Sequence, residues 1–162
     1  MRLAAACALA AVLLFVAGLT PAQAQNPIQL SIFNPAQIVK ESEPVNGLRL
    51  NIIYTKNTSM TGVDLGFIYN ENTGSFKGLQ SVLVGKVRWD FTGLHWDFVG
   101  LVDGKFTGLQ WGFYNSAGHI SGLQIAFVNN ATTAYGIQLG LVNIIKEGGF
   151  LPIFPIFNFS FK

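Results

Sequence analysis

Phe106-Thr-Gly-Leu-Gln-Trp-Gly-Phe-Tyr-Asn115 decides how this chain folds, because most of the chain restates it. On an extended strand Leu109, Trp111 and Phe113 fall on one face, Gln110 and Gly112 on the other. The apolar trio recurs as Leu48/Leu50/Ile52, Val63/Leu65/Phe67, Leu94/Trp96/Phe98, Leu123/Ile125/Phe127 and Ile137/Leu139/Leu141. Only the third copy slips, with Ser81 in the middle place ahead of Val82-Leu83-Val84. A glycine followed by an aliphatic residue anchors each unit, at Gly47, Gly62, Gly78, Gly93, Gly108, Gly122 and Gly136. The spacings are 15, 16, 15, 15, 14 and 14 residues. Near-constant repeats of period-two sequence, with no helical period beside them, predict an all-β array of seven units over residues 45–149.

Short turn segments separate the strands, as in Asn70-Glu71-Asn72-Thr73-Gly74, Asp103-Gly104-Lys105 and Asn115-Ser116-Ala117-Gly118. The flanks differ from the array. Residues 25–44 hold one short strand candidate, Ile28–Phe33, followed by a polar stretch through Glu41 and Glu43. Residues 150–162 are apolar and aromatic, with Pro152 and Pro155, and suit a capping or closing strand.

Two folds accommodate this repeat. In a β-solenoid or β-roll each unit makes one coil and like strands stack in parallel, about 4.8 Å apart, so seven coils give a rod of about 34 Å. Like residues then lie above like: Gln110, Gln124 and Gln138 in one column, Asn115, Asn129 and Asn143 in another, where stacked amides can hydrogen-bond along the axis. In that fold the Leu/Trp/Phe trio is expected inside. The alternative is an antiparallel outer-membrane β-barrel with the trio facing lipid, since Phe106–Tyr114 is just long enough to span. Uniformly short connections, two prolines in the last strand and strand-to-strand identity all favour the solenoid.

The N-terminus reads as a signal peptide over residues 1–24. Arg2 precedes an apolar run from Leu3 to Leu19, Thr20-Pro21 breaks it, and Ala22-Gln23-Ala24 offers a small-x-small cleavage site. The only cysteine, Cys7, lies inside this leader, so the mature chain is expected to carry no thiol, disulfide or thiolate metal site. Nine Lys or Arg then remain against eight Asp or Glu, a balance with no basic stripe for nucleic acid. Half of all residues are apolar and only 11% are charged, which raises a lipid-facing surface as an expectation.

Gly122-Leu-Gln-Ile-Ala-Phe-Val-Asn129 and Gly136-Ile-Gln-Leu-Gly-Leu-Val-Asn143 resemble a bacterial surface-repeat family with tandem Gly-Leu-Gln-x-Gly-x-Val-Asn segments behind a signal peptide. The similarity covers most of the mature chain, and the ending Pro-Ile-Phe-Asn-Phe-Ser-Phe161 fits it too. Earlier copies depart from the pattern: Gly85 and Gly100 replace the terminal Asn, while Arg49, Asp64 and His95 replace the Gln. The resemblance implies an exported protein at the cell surface or outer membrane, the periplasm being the other compartment open to it. It transfers no catalysis.

The candidates for chemistry are few. His95 and Asp97 share a strand face, so an acid–base pair is geometrically available, but both sit where other copies place Gln and Gly. His119 falls in a turn without companion ligands. Glu71 and Asp103 are acidic turn residues without the calcium-repeat pattern around them. Gly66, Gly112 and Gly140, with Ala126 equivalent, share one slot that demands small size, as close backbone approach requires and a phosphate loop does not. Asn57-Thr-Ser and Asn130-Ala-Thr match the glycosylation triplet, a match short enough to arise by chance. The sequence thus predicts no catalytic, cofactor or metal site. It predicts instead a structural or binding protein whose partner is a protein, a polymer or outer-membrane lipid.

Overall fold

The computed structural model describes residues 26–161, so the leader reading and Cys7 lie outside the described residues. Within them the chain is a parallel β-solenoid, and the barrel alternative is overturned. Strand order runs from one end of the sheet to the other without closing, and the array's strands pair in parallel. The strands are β1 (Ile28–Phe33), β2 (Ala36–Gln37), β3 (Val45–Asn51), β4 (Tyr54–Asn57), β5 (Met60–Gly66) and β6 (Tyr69–Asn72). They continue with β7 (Phe76–Val87), β8 (Phe91–Trp111), β9 (Tyr114–Ile125), β10 (Val128–Ile145) and β11 (Ile153–Phe161). β1 coincides with the strand candidate in the N-terminal flank.

Each coil has two faces. The first begins at the residue two before the anchor glycine, runs to about four after it, and turns a corner. The second returns along four residues, in register from Tyr54 through Tyr69, Val84, Val99 and Tyr114 to Val128. The repeat phase read from sequence is the stacking register: Gly47 pairs with Gly62, Gly62 with Gly78, Gly78 with Gly93, and Gly108 with Gly122, which pairs with Gly136. The anchor must be glycine. At Gly108 φ is +130°, and a Cβ there would overlap the carbonyl oxygen of Gly93 one coil back.

The apolar trio does not face inward, contrary to the expectation for a solenoid. Trp96 is 56% exposed, Trp111 51% and Phe67 73%, whereas Gln80, His95, Gln110, Gln124 and Gln138 are fully buried. Period two places Gln and trio on opposite sides of the strand, so burying the amide column turns the trio out. The apolar core comes from a column the trio skips: Val45, Met60, Phe76, Phe91, Phe106, Ile120 and Ala134, two residues before each anchor glycine, all buried. Phe91 stacks on Phe76 with ring centroids 4.6 Å apart and on Phe106 at 5.4 Å. Facing them from the second face are Val87, Val102, Ala117, Ala131 and Ile145.

The two ends of the stack are built differently from its middle. At the first, β2 folds back antiparallel on β1, and Val39 closes the interior with its backbone bonded to the Gln29 side chain. At the last, β11 lies antiparallel on β10 and follows it round the corner. Phe161–Ile156 pair with Tyr135–Gly140, and Phe154–Ile153 with Asn143–Ile144. The Phe150 N–H then donates back to the Phe159 carbonyl at 2.9 Å.

Candidate functional site

The interior half of each coil nearest the corner is polar, for a reason the backbone sets. Where the chain turns from first face to second, strand carbonyls keep a lone pair beyond their backbone bond, as Ile125 and Leu139 do while accepting from the Gly112 and Ala126 N–H groups, and can accept further donors. The asparagine column supplies them. Asn115 Nδ2 donates to the carbonyls of Gln110 and Ile125 at 3.1 and 3.2 Å, and Asn129 Nδ2 to that of Leu139 at 2.8 Å. The same amides reach along the axis, Asn115 to Asn129 Oδ1 at 3.2 Å and Asn129 to Asn143 Oδ1 at 2.9 Å. Small residues in the neighbouring slot make room. A Cβ on Gly112 would lie 3.0 Å from Asn115 Oδ1, and one on Gly140 2.8 Å from Asn129 Nδ2.

The glutamine column runs the other way. Gln138 Nε2 donates to Gln124 Oε1 at 2.9 Å and Gln124 Nε2 to Gln110 Oε1 at 2.7 Å; Gln110 Nε2 lies 3.1 Å from His95 Nδ1. His95 Nε2 in turn lies 2.7 Å from Asp97 Oδ2, both side chains having no exposure. The sequence pair His95/Asp97 is therefore in contact, but sealed within the stack. It stands at the end of the glutamine column, with both side chains shielded from solvent. Burial holds the Asp97 carboxyl above its ordinary range, against the opposing pull of His95 and of the Val82 N–H that donates to it at 2.8 Å.

The departures from the repeat are compensated in pairs. A Cβ on Gly85 would overlap the Asp97 carboxylate, and one on Gly100 would lie 2.9 Å from both Gln110 Nε2 and His95 Cε1. The glycines replace asparagine in the two coils where a larger side chain enters from the opposite face. Lower in the stack Arg49 and Asp64 form a bidentate buried pair, with Nε–Oδ1 at 2.8 Å and Nη2–Oδ2 at 2.6 Å. Arg49 Nη1 also donates to Asn72 at 3.0 Å and Asn57 at 3.3 Å. Asn57 is fully buried, which removes the first glycosylation triplet, and Asn130 is half-buried and donates to Ser116 at 3.1 Å. Glu71 is held by Arg88 at 2.7 Å, Asp103 pairs with Lys86, and His119 Nδ1 lies 2.8 Å from Thr133 Oγ1.

What the molecule presents outward is the corner. Columns headed by Leu50 and Ile52 run along the stack through Leu65 and Phe67, Trp96 and Phe98, Trp111 and Phe113, to Leu139 and Leu141, all exposed. Aromatics stack along these columns: Trp96 with Trp111 at 5.9 Å, Phe98 with Phe113 at 5.0 Å, and Phe113 with Phe127 at 5.1 Å. Six half-exposed aromatics at roughly 100 Å² each, with the aliphatic members, make a patch on the order of 1,000 Å², well beyond what a soluble monomer usually shows. Between the two columns lies an open hollow of about 540 Å³ walled by Trp96, Trp111, Phe98 and Phe113. It meets a second of about 540 Å³ at Trp111, Gly112 and Phe127. A third of about 610 Å³ continues the line at the β1 end, between Leu30, Ile38 and Leu65. No exposed Asp, Glu, Lys or Arg of the described residues lies in these columns. Tyr54 and Tyr69 flank them and stay neutral: burial, then the Glu71 carboxylate, push Tyr54 up to about 12, and the same causes raise Tyr69.

The exposed charges sit elsewhere. Arg88, Asp90, Asp103, Lys105, Lys146 and Glu147 occupy the opposite edge, where each coil passes to the next. The cross-section is thus crossed over: amides inside and apolar groups outside at the corner, a phenylalanine stack inside and charges outside at the far edge. No family model, no curated protein and no solved structure matches this chain.

Proposed function

We propose that this chain is a non-enzymatic, exported envelope protein with a structural or binding role, its working surface the apolar corner. The observation that carries the reading is the outward Leu/Trp/Phe array. An apolar surface repeated along the stack and left uncovered among the described residues is a contact surface. In the stack beneath it the His95/Asp97 pair is buried, which suits holding a partner rather than turning one over. The leader read from residues 1–24 supports delivery across the inner membrane. Expression of the tagged full-length gene in a Gram-negative host, followed by fractionation and intact-mass measurement, tests the reading. Recovery from the envelope with the leader removed supports it; a full-length chain confined to the cytosol sinks the exported role.

A further inference from the structure

We propose that the corner is a lipid-contacting surface: the solenoid lies on a bilayer with its Trp and Phe columns seated among the acyl chains and its charged edge in water. This rests on the envelope reading above and names the partner of the same surface. Three observations select lipid over a second copy of the chain.

First, charge is segregated: none of the exposed acids and bases lies in the corner columns, most stand on the far edge, Lys40 and Glu41 lie at the β1 end, and Lys77 follows the buried Phe76 at the start of the first face. An interfacial protein element divides its surface in this way, and it is held by buried apolar area. Second, the corner has no register. Its apolar columns recur at the coil step, about 4.8 Å, broken only at Ser81, with no exposed charge within them to fix a partner's position. A protein partner could slip by one coil with little penalty, whereas a fluid layer requires no register. Third, the surface is a rounded edge where two faces meet. Two such edges would touch along a line and bury little, while acyl chains flow around an edge and fill its hollows. The line of hollows between the Trp96/Trp111 column and the Phe98/Phe113 column is open along the stack and floored near Gly112 and Gly140 by backbone. An alkyl chain fits that channel lengthwise.

The three tryptophans provide the test. Trp96 and Trp111 lie on the corner, and Trp89 lies on the charged edge, 66% exposed. Two full-chain variants, Trp89→Phe/Trp96→Phe and Trp96→Phe/Trp111→Phe, each leave one reporter. They are mixed with phosphatidylcholine vesicles whose acyl chains carry bromine, a contact quencher. With Trp111 as reporter we expect a blue shift and loss of about half the emission or more; with Trp89 as reporter, loss of about a tenth or less. Equal quenching of both reporters, or quenching of neither, overturns the proposal. Phe98→Ser/Phe113→Ser, with its β-type circular dichroism checked first, should weaken vesicle partition about tenfold or more, whereas Lys105→Ser should leave it unchanged. Failure of the Phe pair to weaken partition also overturns it. So does a lipid-free dimer in which iodide cannot reach Trp111, since the corner's occupant would then be a second copy. An envelope-located protein that fails these tests loses the lipid contact and keeps the binding role. A cytosolic, uncleaved protein loses the exported role whatever its quenching.

Discussion

Asp97 stands beside the end of a donor column that starts three coils away at Gln138, its Oδ2 at ion-pair distance, 2.7 Å, from His95 Nε2. An asparagine there would keep the acceptor for the Val82 N–H but oppose His95 with an amide nitrogen or a weaker acceptor. Asp97→Asn should therefore cost about 1–3 kcal/mol in denaturant unfolding. The cost should also depend on pH. The folded carboxyl is held above its unfolded value of 3.8, so the folded state binds the extra proton. The stability this gives is complete below about 3.8 and is lost as pH rises through the folded value. The wild-type advantage over Asp97→Asn should shrink on raising the pH from 3 to 6, and a widening gap would contradict the assignment. Gly100 makes a second test. Gly100→Asn alone should destabilise by about 1–3 kcal/mol, because its Cβ presses on His95 and Gln110. Added to His95→Gln, much of that loss should return, because an amide at 100 can donate to Asn115 Oδ1, which has no partner among the described residues. A double-mutant cycle in guanidinium reads the coupling.

At the scale of the coil, the core and the exposed trio should respond to truncation in opposite measure. Phe91→Ala removes the middle ring of a fully buried stack and should cost about 3–5 kcal/mol. Trp111→Ala, though it deletes a larger side chain, removes one stacking partner from a half-exposed surface and should cost about 1 kcal/mol or less. Thermal or denaturant melts of the two variants decide it, and a larger loss at Trp111 would place the trio inside after all. The coil itself was legible in the sequence: the glycine spacing set the register, and the Gln and Asn columns stack where their positions foretold. The error was one of sidedness. An alternating strand leaves its inner face undetermined, and apolar residues inside is the usual resolution. A contrary sign was present, since Gln and Asn hold their places without variation in the last three coils while the trio's middle place passes from Trp to Ile to Leu. A stacked interior position tolerates one shape, and an outward one tolerates several. The Arg49–Asp64 pair follows from the same register, since the two residues stack one coil apart in the glutamine column, whereas the glycine compensation at 85 and 100 was not legible, because it depends on contacts between the two faces of the coil.

At the scale of the molecule, the stack is parallel throughout the array and antiparallel at both ends. A uniform parallel stack would carry matching edges top and bottom, so that the last coil of one copy could receive the first coil of the next. Such a contact is heterologous and does not close on itself. The reversed strands remove that fit. β2 covers part of the outer edge of β1, and β11 turns a foreign chain direction outward with Pro155, which cannot donate. Deleting residues 150–162 should therefore yield chains that elongate end to end, seen as filaments by electron microscopy and as seeded growth in light scattering. A truncated chain that stays monomeric at tens of micromolar would show that the end strand does no such duty. With β11 in place the repeat is able to count. A sequence whose every unit invites one more polymerises only within its own chain, and its length is fixed by where the strand direction reverses.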